Sequence, residues 1–568
     1  MLKEIKLIVF IGLSLLIGAI YIYPDIRFIA ELGDKFKGIT LTAMPDEGFY
    51  LARLNAVYNG DYRLANIGLF EHRNDLWLNP PYFEVIVGLA SKMLGIPVVY
   101  LDIILSFLFP IIIFWLIYLL ALKLSNSIYL GILTGLSIVM AYNLFSFNPT
   151  LVKSILVGSY HILGLWFMRP FSPQLIYIPF IFSLLAVYCF IDSKTIWKLF
   201  AVSVPIAVLN CLHVHLWAFM YAGLSVWFFI SILNKDKLIV KNILFIILTS
   251  LILAIPFWLN YYKVTLDPNY QFLETIFGTD YTHRPIIPFG YILLSIFAIY
   301  INKGTNSKNF FFVLSFLIGG LLCLNQQILT GKIIEPVHWT SYTNKTFLLL
   351  ALITGLNNIK PKNFHKNIRN IIFISVVSFL FFTGFIQQYN YYNAHKNTFK
   401  ERQNLYGVIT WLNTNTSKND VILTESIDLY SLEFIRMLMI YTHNYYYLAR
   451  EAHSLISEEE FQYRLLAAMR FFNYTMEEAY QIIDFINGIN FTSMSARYGV
   501  LKNKDEYLNK IKIKYNELMS KDPLSLMMRY KVDYLLIKKS DRFYENIESV
   551  YPSLNKVFDD GFYKIYKF

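Results

Sequence analysis

Met44-Pro-Asp-Glu-Gly-Phe-Tyr50 places two adjacent carboxylates, Asp46 and Glu47, in a polar loop directly after the first apolar run of the chain. In a helix that begins at this loop, Asp46, Tyr50 and Arg53 share one face, because residues at i, i+4 and i+7 line up along a helix. A carboxylate, a phenol and a guanidinium would then point away from the membrane together. The stretch therefore predicts a reactive helix face beside a membrane surface.

The chain as a whole is apolar enough to be a membrane protein. Of its 568 residues, 56% are hydrophobic and 16% are charged, whereas about 25% of the residues of a soluble domain are charged. Eleven apolar runs cover residues 5–23, 98–122, 127–146, 174–193, 198–212, 215–233, 241–260, 287–302, 309–327, 342–359 and 370–388. Two further stretches, 82–95 and 151–168, are short or interrupted. The pattern predicts a polytopic α-helical membrane protein with 11 to 13 transmembrane helices.

Basic residues cluster in the breaks between these runs and give the expected topology. The formal net charge is +11, and the basic breaks lie at 194–198, 235–241, 303–308 and 360–369. Cytoplasmic loops carry an excess of lysine and arginine, so these breaks and the N-terminus are expected inside, and residues 24–80 and 389–568 outside. The first run is expected to be an uncleaved span in the plasma membrane. Because the charge excess reports topology, no nucleic-acid partner is expected.

The composition changes after residue 388, where long apolar runs end and charge becomes dense and balanced. Residues 421–424, 532–537 and 562–566 are predicted as strands, and 458–472 and 477–486 as amphipathic helices. We therefore divide the chain into a transmembrane domain over 1–388 and an extracytoplasmic α/β domain over 389–568. The sequence of the second domain has no Gly-rich phosphate loop, no nucleophile elbow and no metal-spaced His/Cys set. Gating or docking of a substrate is the role expected of it.

The first loop has the residues of a site that handles a phosphate. After the acid pair it carries Arg53, Arg63 and His72, and paired acids followed by cations suit deprotonation of a hydroxyl beside a phosphate. The alternative is structural, because acids in the first turn of a helix are stabilised by the helix dipole. A divalent metal held by Asp46 and Glu47 is also compatible with the loop.

A phosphate at the membrane interface needs a cation from elsewhere in the chain. Candidates are Arg169 in Met168-Arg-Pro170, Arg284 in His283-Arg-Pro285, and Lys345 at the start of an apolar run. The two arginines are favoured, because neighbouring prolines fix their backbones. Each side chain alone also fits an interfacial residue that extends its charge toward water.

Two polar clusters at the ends of spans are further candidates for substrate binding. His213 and His215 stand at i, i+2 near a predicted helix turn, a spacing that favours packing or substrate hydrogen bonding over metal ligation. Glu335, His338 and Trp339 form the second cluster, in which the indole would be available to stack on a pyranose ring. The alternative for Trp339 is a residue of the aromatic belt at the membrane surface.

The order of motifs in the first loop resembles the opening of the GT-C superfamily of membrane glycosyltransferases. Pro45-Asp-Glu-x-x-Tyr50 is followed by Arg53, Gly60-Asp61, Pro80-Pro81 and, after a short apolar run, Leu94-Gly95. The similarity is greatest to the protein O-mannosyltransferases and the lipid A aminoarabinose transferases. It covers residues 45–97, and the remaining chain is similar in layout only.

This resemblance implies a sugar donor carried on a polyprenyl phosphate, with Asp46 as the general base or acceptor-orienting carboxylate and Glu47 as its partner. It implies transfer to a protein, lipid or glycan acceptor on the extracytoplasmic side, with inversion if the displacement is direct. It requires no cofactor, although a divalent metal is compatible with it. Two alternatives stay open: an oligosaccharide transferase of the same superfamily, and a non-catalytic lipid-glycan transporter or assembly protein.

Overall fold

The computed structural model describes residues 2–42, 44–146, 153, 164–276, 280–359, 366–425, 431–449, 455–482 and 504–568. Helices dominate up to residue 402, and a five-stranded sheet with its own helices follows. The predicted class, a polytopic helical membrane protein followed by an α/β unit, is confirmed.

Five described helices are long and apolar enough to cross a membrane, namely Val98–Ser125, Pro170–Phe190, Val214–Leu233, Ser307–Leu324 and Asn367–Arg402. Two bent pairs pass the same test when each is taken as one span, Ile8–Tyr21 with Tyr23–Lys35 (54°) and Lys237–Leu253 with Ile255–Thr265 (60°). Prolines at the start of the second helix of both pairs explain the bends, because proline removes a backbone donor and crowds the preceding turn.

Four shorter apolar helices complete the bundle: Ile128–Met140, Ile196–Asn210, Phe289–Asn302 and Lys345–Gly355. Each of the eleven predicted runs therefore contains a helix, but these four have only 11 to 15 residues, and a span needs about 20. By length and composition, five helices qualify among the described residues, or seven with the bent pairs. Of the two uncertain stretches, 82–95 forms the 13-residue helix Tyr82–Leu94, and most of 151–168 lies outside the described residues.

Small residues allow the closest approach between helices of the bundle. Helices Val214–Leu233 and Ser307–Leu324 meet at Gly223 and Gly319, where a Cβ on Gly319 would lie 2.7 Å from the backbone nitrogen of Gly223. Backbone atoms cannot move aside as a flexible side chain can. This contact therefore requires glycine, as close helix crossings in membranes commonly do.

The first loop folds around a helix over Met44–Tyr58, which we call the loop helix. It begins within one residue of Pro45, as predicted from the sequence. The other elements between the spans are short: Gly33–Lys35, Tyr142–Leu144, Tyr270–Ile276, Gln327–Thr330, Pro336–His338, Trp339–Asn344 and Leu356–Asn358, and the two-residue strands Asp280–Tyr281 and Lys332–Ile333.

The C-terminal sheet has the spatial order Tyr445–Tyr446, Val421–Thr424, Tyr534–Lys538, Tyr563–Lys567 and Asn555–Asp559. The first three strands are parallel and the last two are antiparallel to their neighbours. All four residues of Val421–Thr424 are buried, because apolar clusters cover both faces of the sheet centre. The three predicted strands are confirmed within two residues of their expected bounds.

Helices Leu405–Asn415, Ser431–Tyr441, Glu458–Phe471, Lys504–Met519, Pro523–Met527 and Ile547–Val550 surround the sheet. The predicted helix at 458–472 is confirmed, and the one at 477–486 is helical as far as the description extends, at residue 482. Helix Lys366–Arg402 runs without a break through the boundary expected at 388/389. The composition changes at this boundary, but the helix continues, because a long apolar helix can extend beyond the membrane into solvent.

The first loop is anchored to the C-terminal part of the chain by backbone and charge contacts. The carbonyl of Gly68 accepts a hydrogen bond of 2.7 Å from the backbone N–H of Tyr446. The buried Arg464 guanidinium donates to Glu71 at 2.6 Å and to Glu460 at 2.8 Å. The loop that carries the acid pair is thus held in place by residues almost 400 positions downstream.

Candidate functional site

The acid pair lies at the start of the loop helix, and Glu47 packs against the first turn of helix Pro170–Phe190. Glu47 is fully buried, and its Oε1 accepts a hydrogen bond of 3.4 Å from the backbone N–H of Phe171. The Phe171 ring stacks on Tyr50 with 5.9 Å between centroids. Asp46 is in the first turn of the same helix, and its side chain lies outside the described part of the structure.

A third acid joins this region from helix Val98–Ser125. Asp102, near the start of that helix, forms a side-chain hydrogen bond with Glu47. A hydrogen bond between two carboxyl groups requires that one of them carries a proton. Asp102 was not identified from the sequence. Its signal is its position within an apolar run, because an acid there is costly unless it has a partner.

Residues 169–172, which we call the bridging segment, connect the acid pair to a distant cluster of histidines. Burial, together with the charges of His338 and Arg169, lowers the pKa of His213 to about 3, so its imidazole is neutral. The hydroxyls of Ser172 and Tyr342 lie 3.3 Å apart, and the Tyr342 ring stacks on His213 at 4.8 Å. Phe171 of the bridging segment therefore contacts Glu47, and Ser172 contacts Tyr342, which in turn stacks on His213.

The histidine cluster consists of His213, His215, Glu335 and His338. The Nδ1 atoms of His213 and His215 are 3.2 Å apart, and Nδ1 of His338 lies 2.5 Å from Oε2 of Glu335. His213 has an extended backbone (φ −158°, ψ 122°) immediately before helix Val214–Leu233. The two histidines converge because they straddle a helix start, which the i, i+2 argument from sequence did not consider.

Three members of this cluster fit a divalent metal. Ligand atoms of His215, Glu335 and His338 all lie within 4.8 Å of one another, and two imidazoles with a carboxylate are a common donor set for Zn²⁺. Nε2 of His215 is buried, with no hydrogen-bond partner among the described residues, so this nitrogen is available as a ligand. The metal option predicted at Asp46 and Glu47 stays a prediction, because the Asp46 side chain lies outside the described residues, among which His215, Glu335 and His338 form a donor set.

The backbone at Glu335 is strained. Its φ is +33°, in the left-handed region, and Pro336 follows it. Both features are unfavourable, because a residue with a Cβ avoids positive φ and a residue before proline avoids helical conformations. Strain of this kind persists where the surroundings over-determine the geometry, and it is concentrated at functional sites. The turn thus holds the Glu335 carboxylate beside His338.

Trp339 and Lys345 lie in environments that differ from the ones expected. Trp339 is 2% exposed, its Nε1 donates to the carbonyl of Ile334 at 2.9 Å, and its ring lies 4.4 Å from that of His215. It therefore supports the histidine cluster and presents no free face to a sugar. The Lys345 ammonium donates to the carbonyl of Tyr142 at 3.0 Å and lies 3.8 Å from the centre of its ring.

Arg53 holds the first loop together. It is 3% exposed, and Nε pairs with Glu84 Oε1 at 2.7 Å. Its two terminal nitrogens donate to the carbonyls of Leu64 (3.2 Å) and Asn79 (3.0 Å). Every nitrogen of the guanidinium already has a hydrogen-bond partner. Tyr50 and Arg53, which were expected to act together on one face of the loop helix, therefore have separate roles. Tyr50 contacts the bridging segment, and Arg53 closes the loop.

The remaining predicted residues lie in other parts of the described structure. Arg63 is exposed and donates to Asn74 at 3.1 Å. The side chain of Arg284 is exposed, and its backbone carbonyl accepts a hydrogen bond from Gln327. His72 contacts Asp75 and Glu460, as described next. Of the two proline-flanked arginines, Arg169 is the one whose charge acts on a member of the histidine cluster, His213.

His72 makes the docking of the first loop dependent on pH. Burial opposes its charged form, but a hydrogen bond to Asp75 (2.6 Å) and an ion pair with Glu460 (3.2 Å) outweigh burial and raise the pKa from 6.5 to about 9. A raised pKa means that the stabilisation is complete below pH 6.5 and is lost as the pH rises through about 9. We expect limited proteolysis of the loop to accelerate over this range. In His72→Gln the pH dependence should be absent, and an identical profile in both proteins would contradict the assignment.

These features define a polytopic membrane protein. In it the buried Glu47, the bridging segment and the histidine cluster lie near the starts of helices of the bundle. The chain is similar over its length to the crystal structure of ArnT from Cupriavidus metallidurans bound to undecaprenyl phosphate, with 9% identity, coverage of 99% of this chain and 98% of that one, and a TM-score of 0.46. It is also similar to the apo ArnT structure, with 9% identity, coverage of 100% and 98%, and a TM-score of 0.47. No protein-family model matches the chain, and no curated protein does.

Proposed function

We propose that this protein is a membrane glycosyltransferase that moves a sugar from a polyprenyl-phosphate carrier to an extracytoplasmic acceptor. The observation that supports the proposal is the bridging segment, which contacts the buried Glu47 through the N–H of Phe171 and also carries Arg169, whose charge acts on His213. The start of the helix that carries Asp46 and Glu47 is thereby brought to the segment that carries a cation for a phosphate. Transfer of a sugar from a phosphate carrier needs both groups.

In the proposed reaction the acceptor hydroxyl oxygen attacks the anomeric carbon of the donor. The bond from that carbon to the phosphate oxygen breaks, and polyprenyl phosphate leaves with the electron pair. Asp46 takes the proton of the hydroxyl, and Glu47 fixes the start of the loop helix through its contact with Phe171. Arg169 offsets the charge that develops on the leaving phosphate, with Lys345 as a second cation. A direct displacement inverts the anomeric carbon.

The proposed topology places the site on the extracytoplasmic side, together with residues 389–568. Helix Pro170–Phe190 begins at the bridging segment, and the turn after its other end is joined to Lys308 through an ion pair of 2.8 Å with Asp192. Asn242 donates to the carbonyl of Ser193 in the same turn. The lysine-bearing breaks are thus gathered at the end of the bundle opposite the site, as the positive-inside rule expects of a cytoplasmic face.

If the site holds a metal, His215, Glu335 and His338 would hold it. When bound, a divalent ion would supply positive charge for a phosphate or a sugar oxygen. We expect the purified protein to take up about one Zn²⁺ or Co²⁺ per chain, and His338→Ala to lose most of it. His283→Ala is the matched control, since His283 is exposed in another loop. Equal metal content in the two variants would exclude this ligand set.

The experiment that tests the function uses membranes, a labelled polyprenyl-phosphate sugar and a pair of arginine variants. Arg169 and Arg284 both precede a proline, but of these two arginines the proposal assigns only Arg169 to the donor phosphate. Arg169→Ala should lower transfer by roughly 10-fold to 150-fold, with most of the loss in the KM for the donor, because about 1.5–3 kcal/mol of charged hydrogen bonding is removed. Arg284→Ala should remain near wild type.

Equal activity of the two arginine variants would contradict the assignment. Transfer of the label only from a lipid-linked oligosaccharide would favour an oligosaccharide transferase. Movement of the donor across the membrane without any product would favour a transporter.

A further inference from the structure

The C-terminal part of the chain contains a cavity of about 730 Å³ that lies outside the site described above. It is formed where the end of helix Glu458–Phe471, the start of helix Pro523–Met527 and the turns around helix Ile547–Val550 meet. Its polar lining includes Arg470, Asn473, Asn546 and Ser553. The volume lies in the range of roughly 300–1,000 Å³ that small-molecule sites occupy.

Arg470 is the unusual member of this lining. Its Nε is buried from solvent and has no hydrogen-bond partner among the described residues, and no ion pair of this guanidinium is present in that part of the chain. Arg470 as a whole is half-buried, and an unpaired donor atom of a charged group is costly where water does not reach it. An arginine in the last turn of a helix commonly offsets the helix dipole, but that role alone does not occupy its Nε.

No acid of the cavity neutralises this arginine in the described structure. Asp522 is the acidic member of the lining, and its Oδ2 accepts a hydrogen bond of 2.8 Å from the N–H of Ser525, where it caps helix Pro523–Met527. It forms no ion pair with Arg470 among the described contacts. The cavity therefore presents a cation with free donor capacity, which is the feature that recognises a carboxylate or a phosphate.

The other walls are suited to a sugar. Asn473, Asn546 and Ser553 have exposed side chains whose polar atoms have no hydrogen-bond partner in the described structure, so amide and hydroxyl groups are free to bind hydroxyls. Phe543 and Tyr551, each 7% exposed, form the edge of an apolar wall, and the Tyr551 hydroxyl is already donated to the carbonyl of Phe471 at 2.6 Å. An aromatic wall with neutral polar groups fits the apolar and hydroxyl-bearing faces of a saccharide.

From this arrangement we infer that the cavity is a binding site for an anionic saccharide, whose carboxylate or phosphate pairs with Arg470 and whose hydroxyls meet Asn546 and Ser553. The site is separate from the transfer reaction proposed above and does not depend on it. Asp46→Asn is expected to bind the same saccharides as wild type, so failure of one proposal leaves the other standing.

The test is calorimetric titration of the intact, detergent-solubilised chain with glucuronate, glucose 6-phosphate, glucose and inorganic phosphate. We expect at least one of the two acidic sugars to bind, with glucose and inorganic phosphate each weaker by about tenfold or more. Binding of glucuronate alone or of glucose 6-phosphate alone would identify the anionic group. No binding of either acidic sugar would overturn the proposal, and so would equal binding of glucose or of inorganic phosphate.

Three variants assign the binding to this cavity. Arg470→Gln should weaken binding of the acidic sugar by about tenfold or more, whereas Arg529→Gln, which alters an arginine 48% exposed on the same part of the chain, should not. Asn546→Trp fills the opening from an exposed position, and it should block binding even if Arg470→Gln folds poorly. Unchanged affinity in Asn546→Trp would overturn the assignment.

Discussion

Replacing Asp46 by Asn should lower the rate of sugar transfer by about two to four orders of magnitude. An amide cannot accept the proton of the attacking hydroxyl, but it keeps the size and most of the hydrogen bonding of the carboxylate. The loss is expected in kcat, with little change in the affinity for the polyprenyl-phosphate donor, because the proposed phosphate contacts come from Arg169 and Lys345. Single-turnover assays with a labelled donor would separate the two effects.

The matched control for Asp46→Asn is Asp34→Asn. Asp34 is an exposed acid of the same first loop, outside the loop helix. Its variant should retain wild-type activity. If Asp46→Asn and Asp34→Asn transfer sugar equally well, then Asp46 is not the base. Glu47→Ala should also impair transfer, but through the loop helix, because it removes the acceptor of the hydrogen bond from the bridging segment.

The second large effect is expected at Arg464, which joins the first loop to the C-terminal part. This guanidinium is 1% exposed and pairs with Glu71 and Glu460, and it lies 3.9 Å from the centre of the Tyr530 ring. Arg464→Leu would remove the cation that Glu71 and Glu460 share, leaving Glu71 without an ion pair among the described residues and Glu460 with His72 alone. Breaking a buried pair from one side costs about 3–5 kcal/mol.

Thermal unfolding in detergent, followed by proteolysis of the first loop, would measure this effect. Arg529→Leu is the control, since Arg529 is 48% exposed and its nearest acid, Glu459, is 3.7 Å away. That variant should lose less than about 1 kcal/mol. Adding Glu71→Gln and Glu460→Gln to Arg464→Leu should restore part of the stability, because it removes the unpaired charges. No destabilisation by Arg464→Leu would show that the loop is held by other contacts.

Local patterns in the sequence were enough to predict the elements of this fold. Every apolar run of helical length contains a helix, and the buried strand Val421–Thr424 appears where a short β-branched run stands between polar residues. The loop helix begins where an acid pair and a proline mark a helix start. Hydropathy alone overstated how many helices reach full span length, since runs such as 342–359 include residues that form turns and short helices.

The contacts of individual side chains were harder to predict, because they depend on partners far away in the chain. Arg53 lies on the predicted helix, but its orientation is fixed by Glu84, 31 positions later. Asp102 pairs with Glu47 across two different helices. His213 and His215 converge only because one of them precedes the helix that contains the other. An acid within an apolar run, such as Asp102, indicates that a partner exists, but the sequence does not indicate which residue that partner is.

The central proposal is a single donor site that is enclosed by the loop helix, the bridging segment and the histidine cluster. The most direct measurement is photo-crosslinking of the intact protein with a polyprenyl phosphate that carries a photoactivatable group next to the phosphate, followed by peptide mapping. The account predicts label on the bridging segment and around Tyr342, with loss of that label in Arg169→Ala and retention in Arg284→Ala. Label confined to lipid-facing helix surfaces, and equal in the two variants, would contradict it.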